Sequence, residues 1–211
     1  MRLCRVSLAI VALASSLASG GASTLFFDGF DAENGGVTSE NYASFSNWAV
    51  VEGSVDLIGP GLADLYPGNG LYVDLDGTSE AAATLESTAL ISLAPGAYSF
   101  SFDLGDTNFL PTAPPAPNEL SVTLFEAGGG VLTTTTFTSA DTVAMTLLRQ
   151  TFTFDVASPT SLTIRFEQTT PSAGGDNHGL VIDNVLVALV PAPGAMIALP
   201  LGCGLLTSRR R

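Results

Sequence analysis

The chain has 211 residues, with seven arginines, no lysine and twenty carboxylates, and a formal charge of −13 at pH 7. Such an acidic surface repels phosphate backbones and argues against nucleic acid as a partner. A single histidine excludes a histidine zinc cluster and an HExxH pair, and the two cysteines, Cys4 and Cys203, lie near the ends.

In chain order, Arg2 and Arg5 precede an apolar run over 6–17 and small residues over 18–23. That is the anatomy of a secretory signal peptide spanning 1–22, with the Sec machinery and signal peptidase as the implied partners. A buried N-terminal helix is the alternative. With both ends set aside, the body over 23–189 keeps only Arg149 and Arg165 against all twenty carboxylates, about −18. It also loses both cysteines, so neither thiol nor disulfide supports it. Its charge suits cations and keeps an exported chain soluble by self-repulsion. A body of this length holds one domain of ordinary size.

The hydrophobic period of the body is two. Tyr98, Phe100, Phe102 and Leu104 alternate with Ala97, Ser99, Ser101 and Asp103. The same pattern recurs over 151–156, over 161–167 and at Leu120, Val122 and Leu124. One apolar and one polar face is the mark of an antiparallel strand. Further strands are expected over 55–58, 71–75, 88–93, 131–137 and 179–189, divided by Gly59-Pro60-Gly61, Pro67-Gly68-Asn69-Gly70, Ala94-Pro95-Gly96 and Gly128-Gly129-Gly130. The expected fold is all-β, an antiparallel jelly-roll β-sandwich. The segment 108–118, with prolines at 111, 114, 115 and 117, cannot pair within a sheet. It reads as a long surface loop, or alternatively as a domain boundary.

The last segment, 190–211, reads Val190-Pro191-Ala192-Pro193, then an apolar run, then Arg209-Arg210-Arg211. It resembles the PEP-CTERM sorting signal of Gram-negative, exopolysaccharide-producing bacteria, with Ala192 where that pattern carries Glu. The resemblance implies an exosortase-type processing enzyme as partner and a transient hold at the inner membrane, followed by release to the cell surface or extracellular matrix. The apolar stretch 195–206, broken by Pro200, is shorter than the ~20 residues of a spanning helix; a plain C-terminal anchor is the alternative.

Three blocks of the body, Trp48 to Ile58, Gly70 to Thr78 and Leu93 to Leu104, resemble a galactose-binding-domain-like sandwich, and 177–187 resembles its last strand. Carbohydrate-binding modules of that architecture imply a structural calcium where the first and last strands meet. The positions that match are Asp28 and Asp31 at the opening and Asp183 at the close. Otherwise Asp28 and Asp31 are solvated turn residues and Asp183 accepts backbone hydrogen bonds. Asp74-Leu75-Asp76-Gly77 reads as a turn after a strand, with an incomplete calcium loop as the alternative.

No catalytic motif stands out, and the reading is non-enzymatic. His178 lies in a Gly-rich loop, where a solvated imidazole is expected, and no GxSxG elbow offers a nucleophile. Sugar stacking would need an exposed ring: Trp48 reads as a core residue, while Tyr66, beside Pro67-Gly68, is the better candidate for exposure, and Tyr72 is the third. The function expected is an exported, exosortase-processed surface or matrix protein associated with exopolysaccharide in a structural role. A carbohydrate-binding module with a definite ligand is the alternative, and a glycoside hydrolase the remoter one.

Overall fold

Apolar alternation sets two stacked sheets in the computed structural model, which describes residues 22–79, 81–107, 118–169 and 178–191. The strands are β1 (Ser23–Asp28), β2 (Trp48–Glu52), β3 (Asp56–Ile58), β4 (Tyr72–Asp74), β5 (Thr84–Ser87) and β6 (Ile91–Leu93). They continue as β7 (Gly96–Asp106), β8 (Glu119–Glu126), β9 (Val131–Thr138), β10 (Leu148–Val156), β11 (Thr160–Gln168) and β12 (Leu180–Leu189). Two short 3-10 turns, Glu33–Gly35 and Ser139–Asp141, are the helical elements among the described residues.

The first sheet runs β10-β7-β12-β4-β3, with β1 also on β12; the second runs β2-β5-β11-β8-β9, with β6 on β11. Every strand pair is antiparallel. From β7 onward the chain alternates between sheets: β7 in the first, β8 and β9 in the second, then β10, β11 and β12 by turns. The expected all-β antiparallel sandwich is therefore what forms.

The inward residues of β7, Tyr98, Phe100, Phe102 and Leu104, meet Leu162, Ile164 and Phe166 of β11 in one core. Phe166 lies 5.2 Å from the ring of Phe102 and 5.7 Å from Trp48. Each such side chain contributes on the order of 1.5–3 kcal/mol by leaving water.

β12 is the strand on which the sheet closes. Val181 and Ile182 pair with β4, whereas Val185 to Leu189 pair with β1 on the same side. The change of partner coincides with a register break between Asp183 and Leu186 opposite β7, and Asn184 there adopts a left-handed φ of 48°. Asn is among the few non-glycine residues that tolerate this conformation.

Some expectations shift. The strand expected over 88–93 is shorter, because the chain turns before Ile91 and leaves Leu90 89% exposed. Val190 donates its N–H to Ala97 O at 2.9 Å, so the sheet reaches the first residue of the sorting motif. Ala192, Pro193, Arg209, Arg210, Arg211 and residues 1–21 of the expected signal peptide over 1–22 lie outside the described residues. Among the described residues no helix is long and apolar enough to cross a membrane.

Candidate functional site

The three residues expected to hold calcium have separate duties. Asp28, at the end of β1, accepts Phe30 N through Oδ1 at 2.9 Å. Its Oδ2 accepts Asn47 Nδ2 and Trp48 Nε1, each at 3.0 Å. Oδ1 thus closes the turn to Phe30, while Oδ2 positions the core tryptophan. Exposed Asp31 accepts Leu71 N at 2.8 Å. Asp183 is 1% exposed and accepts Asn184 N at 2.6 Å and Asn184 Nδ2 at 3.0 Å. Burial pushes its pKa up to about 8; the Asn184 N–H opposes the shift, Asp103 and Asp31 add to it, and Arg149 opposes it. Calcium needs six to eight oxygens around one point. Among the described residues no three His, Cys, Asp or Glu side chains stand where they could hold a metal. With Asp28 filled by protein donors, this trio does not fit as a calcium cradle.

The aromatic candidates are all interior. Trp48, 2% exposed, is the core residue that its apolar context indicates. Tyr66 does not present the exposed ring expected of it: it is 1% exposed and packs edge-on against buried Tyr72 at 5.4 Å. Its hydroxyl donates to Asp106 O at 2.8 Å and accepts Asp106 N at 2.7 Å. Tyr72 Oη accepts Leu65 N at 2.6 Å and Tyr66 N at 3.1 Å. Burial pushes both phenols up, so they stay neutral. The bend at Pro67-Gly68 turns Tyr66 inward, and Gly105 makes the room, since a Cβ there would overlap the Tyr66 hydroxyl.

Two cavities stand out among the described residues. One, about 280 Å³, lies on the outer face of the second sheet beside Phe125, Glu86 and Arg165. The Arg165 guanidinium binds Glu86 Oε2 through Nη2 at 2.6 Å and Nε at 2.9 Å, and sits 4.8 Å over the Phe125 ring. That ring face already has its partner.

The other, about 250 Å³, opens beside the β3–β4 hairpin. Glu40, Asp56, Asp74 and His178 line it together with the apolar Ile58, Leu62 and Leu65. Asp56 and Asp74 are direct cross-strand partners, which places their side chains on one face of the sheet. Asp56 ties two loops together, accepting Asn41 N at 2.7 Å, and Thr78 N at 3.0 Å and Thr78 Oγ1 at 2.7 Å through Oδ2. Asp74, 4% exposed, accepts Asp76 N through Oδ1 at 3.0 Å, closing the Asp74-Leu75-Asp76-Gly77 turn. Burial raises the Asp74 pKa well above the usual carboxylate range; the Asp76 N–H opposes this, and the charges of Asp56, Asp76 and Asp106 add to it.

Thr107, at the cavity, is held by the residue that precedes β12. Thr107 N and Oγ1 both bond Gly179 O, at 3.0 and 3.1 Å. A Cβ on Gly179 would overlap Asp74 Oδ1 and come within 2.6 Å of Asp76 N. His178, expected as a solvated loop residue, is half-buried at the rim, and Asn118 Nδ2 donates to its carbonyl at 2.9 Å. This second cavity joins carboxylate acceptors to an apolar wall, the composition of a site for a small polar molecule with a hydrocarbon face.

No protein-family model and no curated protein matches the chain. Among solved structures it is similar to the CBM22-1 xylan-binding domain of Paenibacillus barcinonensis Xyn10C, at 14% identity and TM-score 0.51 over 83% of this chain and 99% of that one. It is also similar to TmCBM61 in complex with beta-1,4-galactotriose, at 15% identity and TM-score 0.45 over 72% and 100% of the two chains. A CBM35 from Paenibacillus barcinonensis matches at 19% identity and TM-score 0.42 over 73% and 99%. The chain thus shares with the xylan-binding domain a two-sheet antiparallel β-sandwich.

Proposed function

We propose that the body is a non-catalytic glycan-binding module and that the acidic cavity beside β3 and β4 receives one sugar unit. The carrying observation is that cavity's composition: carboxylates and the apolar Ile58, Leu62 and Leu65 line the same space of about 250 Å³. A pyranose has the matching pair of surfaces, hydroxyls on its rim and C–H groups on its face. The volume falls just below the ~300–1,000 Å³ of sites for drug-sized ligands, which favours a chain end over an internal stretch of polymer. The sandwich shared with a xylan-binding domain supports the same reading. A glycan array followed by NMR titration tests it. Saturable binding should shift resonances at the cavity and be lost in Glu40→Trp, which fills the exposed mouth. Binding untouched by that variant would overturn the assignment, and sugar release from native exopolysaccharide would overturn the non-catalytic part.

The same proposal has the chain exported, its first 22 residues removed and its tail processed by an exosortase-type enzyme, leaving the module at the surface or in an exopolysaccharide matrix. Val190 to Pro193 and the final three arginines support that route. Replacing Pro191 and Pro193 by Ala should accumulate the uncleaved form in the inner membrane; normal processing would overturn the tail assignment. Calcium stays outside this reading, because both Asp28 oxygens already accept protein hydrogen bonds and no three ligating side chains converge among the described residues. Equal melting temperatures in calcium and in EGTA are expected, and a clear upward shift with calcium would return Asp31 and Asp183 to the role of ligands.

A further inference from the structure

Charge in the cavity bears on which sugar it takes. Between residues 6 and 208 the only lysine or arginine side chains are Arg149 and Arg165. Both are committed elsewhere, Arg149 to Asp103 at 2.7 Å and Arg165 to Glu86 at 2.6 Å. His178 is then the one basic side chain of the body at a cavity whose wall includes Glu40, Asp56 and Asp74. A second observation separates Asp74 from a mere acidic cluster. It is more than nine-tenths buried and lines the cavity, and its hydrogen bond among the described residues uses Oδ1 alone. Oδ2 therefore has no protein donor among the described residues, on a side chain that lines the cavity. Asp56, by contrast, is filled by Asn41 and Thr78.

We infer that the cavity selects a cationic sugar, a terminal amino-sugar unit whose ammonium group meets Asp74 Oδ2 while its ring lies against Ile58, Leu62 and Leu65. The inference rests on the cavity being the glycan site proposed above. An ammonium carries three donors and no acceptor, which suits a wall of carboxylates, and its hydrogen bonds to them are charge-assisted. A bare metal ion is the poorer occupant: no three His, Cys, Asp or Glu side chains among the described residues converge on one point, and half the wall is apolar. The groups whose charge bears on the ammonium are Asp56, Asp76, Asp106, Glu40 and His178. The raised pKa of Asp74 adds a signature, because an ammonium at Oδ2 displaces the proton that burial favours.

The experiment is isothermal titration of the full chain with glucosamine and its trimer, against N-acetylglucosamine, glucose and their trimers, in buffers of different ionisation enthalpy. The amine should bind about tenfold more tightly than its acetylated or neutral counterpart, with release of a proton. Asp74→Asn should abolish that preference while leaving weak neutral-sugar binding. Glu40→Gln, at the exposed mouth, should reduce it about twofold and serves if Asp74→Asn does not fold. Equal affinity for amine and neutral sugars would overturn the inference and leave the glycan reading standing. Loss of no sugar's binding in Glu40→Trp would overturn both. Calcium bound in an Asp74-dependent way, with no sugar bound, would also overturn both.

Discussion

Asp183 shows how one buried carboxyl links the fold to pH. Its folded pKa of about 8 lies above the ~3.9 of an unfolded aspartate. Folding therefore favours the protonated form, and the stability this contributes is complete below pH ~4 and disappears as pH rises toward 8. The variant Asp183→Asn keeps an acceptor for Asn184 N and removes the charge. It should melt above the wild type at pH 8 and close to it at pH 4; a gap that widens toward acid would contradict the assignment. Asp28 shows a different economy, since three protein donors occupy its two oxygens in a nearly closed site. Neither behaviour is visible in the amino-acid string. Asp28, Asp31, Asp74 and Asp183 look alike there, and only their partners separate an acceptor for Trp48 from an open carboxyl in a cavity. Tyr66 teaches the same lesson, because the glycine that admits it is 39 positions away.

At the scale of elements, legibility follows the contrast between faces. β11 buries every second side chain and leaves those between half-buried or exposed, and β7 does the same over Tyr98–Leu104 apart from buried Ser101, so their period of two is legible. β1 hides its pattern, since a bulge between Thr24 and Phe26 leaves consecutive apolar residues with different exposures. β2 and β5 are short and take their identity from pairing with each other and with β11; alternation does not single them out. The cavity was equally hidden: it depends on the register that sets Asp56 opposite Asp74, a long-range fact. Where the pattern is strongest, the core should be least forgiving. Phe166, fully buried between Phe102 and Trp48, should cost about 3–5 kcal/mol as Phe166→Ala, measured by guanidinium unfolding. A loss below about 1 kcal/mol would mean that the two sheets can collapse into the space.

For the whole molecule, about eighteen uncompensated negative charges act on a body with two arginines. Their mutual repulsion disfavours compactness, and salt screens the exposed part of it with a Debye length of ~30 Å at 0.01 M and ~8 Å at 0.15 M. The melting temperature should rise by several degrees between those ionic strengths in sodium chloride. A fall would show that the two arginine pairs outweigh the repulsion. Chain order adds a constraint of time. Because Val185 to Leu189 complete the sheet for β1, residues from opposite ends of the body must meet before the first strand has any partner. Topologies dominated by such distant pairings fold in milliseconds to seconds, and here the final strand is also the last to be synthesised. Under the export route proposed above, a chain emerging from the ribosome stays threadable until nearly all of it has been made. β12 then acts as the latch that closes once passage is complete.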